Sequence, residues 1–237
     1  MPWWDEDIQE EIIDKADELR KLYQEIFQCR YCQPKVFASK VPRRVMENTL
    51  NSEIVLMAQA PSECGVRISG VHWNKEDGTL TKGGKFLDNR LTPIAYSVNL
   101  HNNTATRPYT TNVLQCWTGR ARDGKRKRDR DPEEMELIYC AKWWRKELEI
   151  IQPKIMVLLG APATEYFAQV IGKNWVFAEM LQNKRQGEHI PIGDIELKIF
   201  FLPHPTAGYK ERNVPYPRKQ SQLYQEAFQQ VKENLNL

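Results

Sequence analysis

The sequence predicts an α/β fold with a largely parallel sheet, and three observations lead to that expectation. Short, continuously apolar runs recur along the chain, as is typical of strands covered on both faces of a sheet. Segments with helical spacing lie between these runs, and strands that alternate with helices favour parallel pairing. At 237 residues the chain is long enough for one sizeable core, so we expect a single domain over residues 1–237.

The first predicted element is an amphipathic helix over residues 5–28. Apolar side chains recur through it at helical spacing, namely Ile8, Ile12, Ile13, Ala16, Leu19, Leu22, Tyr23 and Phe27. The helix leads directly into a Cys-x-x-Cys pair. Residues 1–50 are therefore expected to form an N-terminal helix and cysteine segment within the single domain.

Four strands and four further helices follow. The predicted strands are EIVLMAQA (53–60), PYTTNVLQC (108–116), KIMVLLG (154–160) and IELKIFFLP (195–203). The predicted helices cover 83–98, 131–151, 161–172 and 221–235. The helix at 131–151 has Pro132 and two glutamates in its first turn, which favours a helix start. The fourth strand ends in Pro203-His204-Pro205, where the chain must leave the sheet because proline cannot donate to a ladder.

The carboxyl ends of these strands bring polar segments to one edge of the sheet. Ligands bind at that edge in open α/β sheets. The segments are QAPSE after the first strand, Asn112 to Cys116 in the second, GAPA after the third and PHPTA after the fourth. His204 therefore belongs to a group of side chains that converge on one candidate site.

Four of the five cysteines form two pairs. Cys29 and Cys32 are close in sequence, whereas 23 residues separate Cys116 from Cys140. Four thiolates bind either zinc or an iron–sulfur cluster, and four unrelated buried thiols are a further interpretation. A metal here would be structural and would join the N-terminal helix to the core. Cys64 stands apart and is interpreted as a spare thiol.

Composition limits the class of protein and its location. The chain has 27% charged and 41% hydrophobic residues, as is typical of soluble globular proteins. No apolar run approaches the roughly 20 residues of a membrane helix. The acidic N-terminus MPWWDEDIQEE lacks the layout of a signal peptide. We therefore expect a cytoplasmic monomer without a membrane partner.

A basic loop is predicted over residues 118–131. It contains seven Arg or Lys and three Asp, a local charge of +4. A solvated surface loop is the simplest interpretation of such a run. This one, however, is expected to leave the sheet beside the candidate site, where it suits a polyanion such as nucleic acid. The expected phosphate contacts are Arg120, Lys125, Arg126, Lys127, Arg128 and Arg130.

Taken in this order, the motifs resemble the uracil-DNA glycosylase superfamily and, within it, the iron–sulfur branch called family four. The similarity runs from about Cys29 to Ala207. It is carried by the Cys-x-x-Cys pair, LMAQAPSE, GGKFLD, YTTNVLQC, YCAKWWRKELEIIQPKIMVLLGAPA and PHPTA. The resemblance implies a three-layer α/β/α sandwich around a four-stranded, mainly parallel sheet. It also implies that a [4Fe–4S] cluster on Cys29, Cys32, Cys116 and Cys140 ties on the N-terminal helix, with zinc as the less favoured occupant.

The resemblance further implies an activity and a partner. Such an enzyme is a monofunctional DNA glycosylase, which flips a nucleotide out of DNA and hydrolyses its N-glycosidic bond. His204 resembles the histidine that donates to the base oxygen as negative charge develops there. Asn112 resembles the residue that reads the pairing edge of the base, with Ala60 and Pro61 bordering that base. Minor-groove contacts are expected from the segment after His204, through Thr206, Tyr209 and Lys210.

Two departures from the family concern the chemistry. Gln59 stands where family four usually has a glutamate that activates water, and a neutral amide orients water without accepting its proton. Glu63 is a candidate replacement base, although a surface glutamate is the alternative. The basic loop resembles that of another branch, family X, whose loop histidine traps DNA covalently. Asp129 stands at the matching position, so no covalent trap is expected, and this carboxylate either approaches the sugar or balances neighbouring arginines.

A third departure concerns the base. The segment between Pro61 and Gly84 is longer than in the family and lacks the Pro-Phe pair whose ring stacks on uracil. We expect Trp73 or His72 to stack instead, unless Trp73 simply packs the inserted segment.

The identity of the target base is left open by Asn112. Its amide carries a donor and an acceptor, so one orientation suits uracil and the flipped one suits cytosine. The favoured hypothesis is a glycosylase for a modified base, such as the hydroxymethylated or glucosylated cytosine of phage DNA, acting in antiviral defence. The alternatives are a conventional uracil repair enzyme and a non-catalytic nucleic-acid-binding protein on the same fold.

Overall fold

A five-stranded sheet forms the centre of the computed structural model, which describes residues 4–32, 43–61, 66–119, 130–182, 186–206 and 220–236. The strands are β1 (Ile54–Ala58), β2 (Tyr109–Asn112), β3 (Ile155–Leu159), β4 (Glu188–Ile192) and β5 (Ile195–Leu202). Their order across the sheet is β2-β1-β3-β5-β4. Every neighbouring pair is parallel except β4 and β5, which are antiparallel.

The predicted count of four strands is wrong, because the edge strand β4 was not expected. All four predicted strands are present, and β4 joins them through a hairpin with β5. The sequence of β4 contains Pro191 and only two buried positions, Ile190 and Ile192. Proline is tolerated at a sheet edge, where one side of the strand has no ladder partner. Such a strand carries no continuous apolar run to reveal it.

The helices cover both faces of the sheet. They are α1 (Trp4–Gln28), α2 (Val66–Ser69), α3 (Lys82–Leu91), α4 (Glu134–Ile151), α5 (Ala161–Val170), α6 (Phe177–Gln182) and α7 (Gln220–Leu235). Short 3-10 turns cover Glu47–Thr49 and Thr92–Ile94. The predicted helix over 83–98 is therefore too long. Pro93 lies in the 3-10 turn, and Ala95 ends that turn with a φ of 62°.

Alternate residues of the strands face opposite layers, which confirms the expected α/β/α sandwich. Val55 and Met57 pack into a core shared with α1, α4, α5 and α6. Ile54 and Leu56 pack into a second core with α3 and α7. This alternation follows from the two-residue period of a strand. In the described part of the chain, no helix combines the length and the apolar character needed to cross a membrane.

Among the side chains of the N-terminal helix that the structure describes, from residue 10 onward, packing follows the predicted periodicity except at two positions. Leu19 and Leu22 of α1 are buried against the core that contains Trp144 of α4. Ile13 and Phe27 were expected on the same face but are exposed.

Candidate functional site

A cavity of about 320 Å³ opens at the carboxyl edge of the sheet. This is the edge at which the sequence placed a ligand site, and the volume lies in the range of small-molecule pockets. Six of the predicted site residues line it: Ala60, His72, Trp73, Asn112, His204 and Thr206. Residues far apart in sequence therefore meet here because parallel strands deliver their carboxyl ends to one side.

His204 follows β5 and is held by its backbone from two sides. Tyr224 of α7 donates its hydroxyl to the carbonyl of Pro203 at 2.5 Å. Gln220 of the same helix donates from Nε2 to the carbonyl of His204 at 3.0 Å. On the opposite side Gly160, with a φ of 94°, lies directly against the histidine. The position of the ring is thus set by α7 and by the turn after β3.

The hydrogen bonds of His204 define its tautomer. The backbone N–H of Thr206 donates to Nδ1 at 3.3 Å, and the hydroxyl of Thr206 lies 2.7 Å from the same nitrogen. Burial lowers the pKa of His204 to about 4, so the ring is neutral at pH 7. A neutral imidazole that accepts at Nδ1 carries its proton on Nε2. His204 therefore offers one fixed N–H donor in a cavity whose ligand remains to be identified.

We expect His204 to stay neutral, with its proton on Nε2, from pH 8 down to about pH 5. Its folded-state pKa of about 4 lies below the ordinary value of 6.5. The unfolded chain therefore binds more protons between these two values, and this group lowers stability as pH falls through that window. Nitrogen-15 NMR of the labelled imidazole gives the tautomer and midpoint directly. A midpoint near 6.5 would contradict the burial that this prediction rests on.

Gly160 is required by the position of His204, and its replacement is expected to displace that ring. A Cβ at Gly160 would lie 3.1 Å from Cβ of His204 and 3.5 Å from its backbone nitrogen. We expect Gly160→Ala to reduce the activity of this site by about 10- to 100-fold, since small misplacements of reacting groups have large effects. Gly172→Ala is the matched control, because Gly172 has a φ of 69° but nothing within 4 Å of an added Cβ. Equal losses in both variants would show that backbone strain alone is responsible.

Asn112 ends β2 and points its amide toward His72. In the sheet it pairs with Ala58, the last residue of β1. Its Nδ2 lies 2.8 Å from Nε2 of His72, whereas its Oδ1 is buried and has no hydrogen-bond partner among the described residues. Burial lowers the pKa of His72 well below its ordinary value, and the cations Arg43 and Arg107 add to this. His72 is therefore a neutral hydrogen-bond partner of Asn112, a contact that the sequence did not predict.

Trp73 has an unusual backbone conformation that the glycines of α3 accommodate. Its φ is 69°, and its carbonyl accepts from Thr81 at 2.8 Å. A Cβ at Gly84 would lie 2.4 Å from that carbonyl oxygen, and one at Gly83 would lie 3.7 Å from Cζ3 of Trp73. The indole ring stands 5.9 Å from the ring of His204, centroid to centroid. Trp73 thus forms part of the cavity wall, and its stacking on a base stays a prediction.

The cavity does not contain every residue predicted for it. Gln59 and Pro61 are among the described residues, and neither lines the cavity. The carbonyl of Gln59 accepts from the backbone of Leu114 at 3.0 Å. Other predictions fall outside the described residues, namely those for Glu63, Cys64, Arg120, Lys125, Arg126, Lys127, Arg128, Asp129, Tyr209 and Lys210.

The base of the predicted basic loop is closed by the backbone. The N–H of Arg130 donates to the carbonyl of Gly119 at 2.8 Å, so these two described residues lie side by side. The side chain of Arg130 donates to Glu136 at 2.8 Å and to the carbonyl of Thr118 at 3.3 Å. Arg130 therefore anchors the loop to α4 through contacts that its predicted phosphate role did not include.

The four predicted cluster cysteines surround one small cavity. Cys29, Cys32, Cys116 and Cys140 line it together with Ile26, Gln115 and Trp143. A hydrogen bond between Cys32 and Cys140 lowers the pKa of Cys32 and raises that of Cys140. Burial raises the pKa of Cys116 to about 11. Among the described residues, no three His, Cys, Asp or Glu side chains form a group that could hold a metal ion. Four thiols are nevertheless a donor set that suits an iron–sulfur cluster, whose cysteines are distributed over several iron atoms, or a zinc ion.

A buried polar network lies beneath Asn112. Glu147 of α4 has no exposed surface and forms an ion pair with Arg43, whose side chain is 4% exposed. The second carboxylate oxygen accepts from the hydroxyl of Thr111 and from Nε2 of Gln115, the latter at 3.4 Å. Gln115 also donates to the backbone carbonyl of Asn112 at 3.0 Å. The network thus links the carboxyl end of β2, which borders the 320 Å³ cavity, to α4.

The sequence did not predict the residues that fix the backbone of the site residues or support them through buried contacts. Gly160 had a usable signal, because a glycine directly after a buried strand often permits a close backbone approach. No local sequence signal marks Gln220 and Tyr224, since they lie 16 and 21 residues from the backbone groups that they bind. Arg43 and Glu147 are 104 residues apart.

Comparison with known proteins relates this arrangement to a family. The family model of the uracil DNA glycosylase superfamily matches residues 45–232. The type-4 uracil-DNA glycosylase of Sulfurisphaera tokodaii is 26% identical over 219 residues, which cover 92% of this chain and 84% of the relative. The type-4 uracil-DNA glycosylase of Saccharolobus solfataricus is 26% identical over 224 residues, or 93% and 85% of the two chains. The segment matched by the family model includes every described residue that lines the 320 Å³ cavity.

Proposed function

The chain belongs to the uracil DNA glycosylase superfamily, and from that premise we propose that it flips a pyrimidine nucleotide out of DNA and hydrolyses its N-glycosidic bond. As a member of the family it is a DNA glycosylase, a hydrolase of N-glycosyl bonds. The observation that carries the pyrimidine proposal is the meeting of an Asn112 amide and a His204 N–H donor in one cavity. An abasic site and a free base are the products.

The proposed chemistry assigns one task to each side of the cavity. The bond between the base nitrogen and C1′ breaks, water adds to C1′, and negative charge develops on the leaving base. His204 donates from Nε2 to the base oxygen that gains this charge, and its fixed position means that little reorganisation is needed during the reaction. Asn112 reads the pairing edge, and Trp73 stacks on the base.

For water activation the sequence motif assigns Gln59 to the attacking water, although Gln59 does not line the 320 Å³ cavity. The amide orients the water but does not take its proton. Glu63 is the candidate acceptor, and Asp129 is the candidate carboxylate beside the sugar. All three assignments rest on the order of residues in the sequence.

For the target base we propose a modified cytosine, of the hydroxymethylated or glucosylated kind found in phage DNA, which would make the enzyme a defence against invading DNA. Gln59 in the first motif and the long segment that carries Trp73 support a pocket that differs from a tight uracil site. The second candidate is uracil in base excision repair. It is favoured by the relatives, both of which are type-4 uracil-DNA glycosylases.

The experiment that tests the function is base release from four matched DNAs. They contain one uracil, one hydroxymethylcytosine, one glucosylated hydroxymethylcytosine, or only ordinary bases. Mass spectrometry identifies the freed base, and alkali reveals abasic sites. Release of modified cytosine alone supports the defence enzyme, and release of uracil alone supports repair. Tight DNA binding without release from any of them would point to a non-catalytic binding protein.

We also propose that Cys29, Cys32, Cys116 and Cys140 hold a [4Fe–4S] cluster. The support is their position around one cavity at the junction of α1, α4 and the segment after β2. A cluster there would tie the N-terminal helix to the core and would supply no step of the hydrolysis. The purified protein is expected to absorb broadly in the visible range and to contain about four irons per chain. A colourless protein with one zinc per chain would show that zinc, the less favoured ion, occupies the site.

The proposed DNA contacts come from the basic loop and from the segment after His204. The loop residues Arg120, Lys125, Arg126, Lys127, Arg128 and Arg130 neutralise phosphates, and Thr206, Tyr209 and Lys210 enter the minor groove. We propose that the protein acts as a monomer in the cytoplasm, where cysteine thiols remain reduced.

A further inference from the structure

We propose that His72 fixes the orientation of the Asn112 amide and thereby determines which pyrimidine edge the cavity accepts. This proposal rests on the proposed base-excision function and deepens it by naming a specificity-determining residue. His72 acts through Asn112, so it is a positioning residue for base recognition. It lies in the long segment before α3, 40 residues from Asn112 in sequence.

The contact between the two side chains is short and directional. Nδ2 of Asn112 lies 2.8 Å from Nε2 of His72. Asn112 is 1% exposed, so its amide does not exchange this partner for bulk water. Oδ1 of Asn112 is buried and has no partner within the structure. The Nδ2 end of the amide is therefore held by His72, and the Oδ1 end can accept a hydrogen bond from a ligand.

The two ends of the amide are not equivalent to a pyrimidine. The uracil edge offers a donor at N3 beside an acceptor at O4, whereas the cytosine edge offers an acceptor at N3 beside a donor at N4. An amide that turns by 180° about its Cβ–Cγ bond exchanges oxygen and NH₂, and so exchanges the two edges that it reads. A neighbour that holds one end prevents this exchange. The second N–H of Nδ2 and the free Oδ1 then face the base in one arrangement only.

His72 is suited to this task because it is held neutral. Arg43 and Arg107 are the cations that act on it, and the Nη2 of Arg107 donates to the carbonyl of His72 at 3.4 Å. A doubly protonated ring would be repelled by both guanidinium groups and could no longer accept from Nδ2. The neutral ring keeps one acceptor nitrogen, and Nε2 is that acceptor.

The carbonyl of His72 is also held in place. Nδ2 of the fully buried Asn74 donates to it at 2.8 Å and donates to the carbonyl of Val98 at 3.0 Å. The histidine backbone is thus tied to the segment after the 3-10 turn at Thr92–Ile94. A rigid backbone keeps the ring from following the amide if Asn112 turns.

The test measures binding of two DNAs that cannot release their base. One carries a single 2′-fluoro-2′-deoxyuridine and the other a single 2′-fluoro-2′-deoxycytidine, because the electron-withdrawing fluorine opposes the positive charge that develops on the sugar during cleavage. Both bases lack a substituent at C5, so the ratio of their dissociation constants reports the pairing edge alone. We expect the wild-type protein to prefer one of them by about 10- to 100-fold, as the loss of a buried hydrogen bond implies.

Two variants of His72 are expected to behave in opposite ways. In His72→Leu the amide loses its partner and turns freely, so the preference should fall to less than about threefold. His72→Glu places a group that only accepts beside Arg43 and Arg107, so the wild-type preference should be retained. His189→Leu is the matched control, because His189 lies exposed on β4. Circular dichroism melting of each variant shows whether it is folded.

Each outcome decides the proposal. A folded His72→Leu that keeps the full preference would overturn it, as would a folded His72→Glu that loses or inverts the preference. If His72→Leu does not fold, the result for His72→Glu decides alone. A wild-type protein that binds both DNAs equally would also overturn it. Base release separates this proposal from the proposed function. A protein that discriminates between the fluorinated DNAs but frees no base would support the role of His72 and contradict base excision.

Discussion

Replacement of His204 by alanine is expected to reduce the rate of base release by about 100- to 1000-fold, which is the usual effect of removing one donor from a developing negative charge. The reason is the fixed tautomer. Thr206 occupies Nδ1, so the ring has only Nε2–H to offer the leaving base. DNA affinity is expected to change little, since the phosphate contacts supply most of the binding free energy.

Single-turnover cleavage and a filter-binding measurement on the same DNA separate the two effects. His189→Ala is the control for the loss of a histidine, since His189 lies on the edge strand β4. If the cleavage rate and the DNA affinity fell by the same factor, His204 would contribute to binding of the ground-state DNA and not specifically to the transition state. An unchanged rate would remove it from the chemistry altogether.

Replacement of Glu147 by glutamine is expected to lower the free energy of unfolding by about 3–5 kcal/mol, because it leaves the Arg43 charge buried without its counter-ion. Both side chains are almost completely buried, at 0% and 4% exposure. Nε and Nη2 of Arg43 already lack a hydrogen-bond partner in the part of the chain that the structure describes. For a domain of this size the melting temperature should fall by roughly 6–20 °C.

Thermal and urea unfolding of Glu147→Gln measure this loss. The control is Glu149→Gln, an exposed glutamate on the same helix, α4, for which the change should stay within about 0.5 kcal/mol. The double variant Arg43→Met with Glu147→Leu should recover most of the stability, since well-packed apolar residues often replace a buried ion pair without loss. A single variant as stable as the control would mean that solvent reaches Arg43.

The elements that the sequence predicted well are those whose signal is local. β1, β3 and β5 are apolar runs that follow from burial on both faces of a sheet. β4 was missed because an edge strand with Pro191 alternates weakly. The helix predicted over 83–98 is too long because Pro93 lies in a 3-10 turn that ends the helical segment, despite the apolar spacing around it.

The candidate site divides in the same way. Asn112 and His204 stand at strand ends, so topology alone brings them to one cavity. The partnership of His72 with Asn112 depends on how the long segment before α3 folds back, and no short-range pattern encodes that. The buried pair of Arg43 and Glu147 depends on packing between distant elements. Charged residues also read as surface residues in a sequence, because most of them are exposed.

The hydrogen bonds from α7 to the backbone around His204 affect when the protein becomes active. Synthesis proceeds from the N-terminus, so Gln220 and Tyr224 leave the ribosome after the histidine whose backbone they fix. The four parallel strands and the cysteine segment precede them and can fold first. Until α7 docks, the backbone carbonyls of Pro203 and His204 lack these donors. The donor that acts on the leaving base is therefore fully held in place only after the last helix of the chain has been made and has docked.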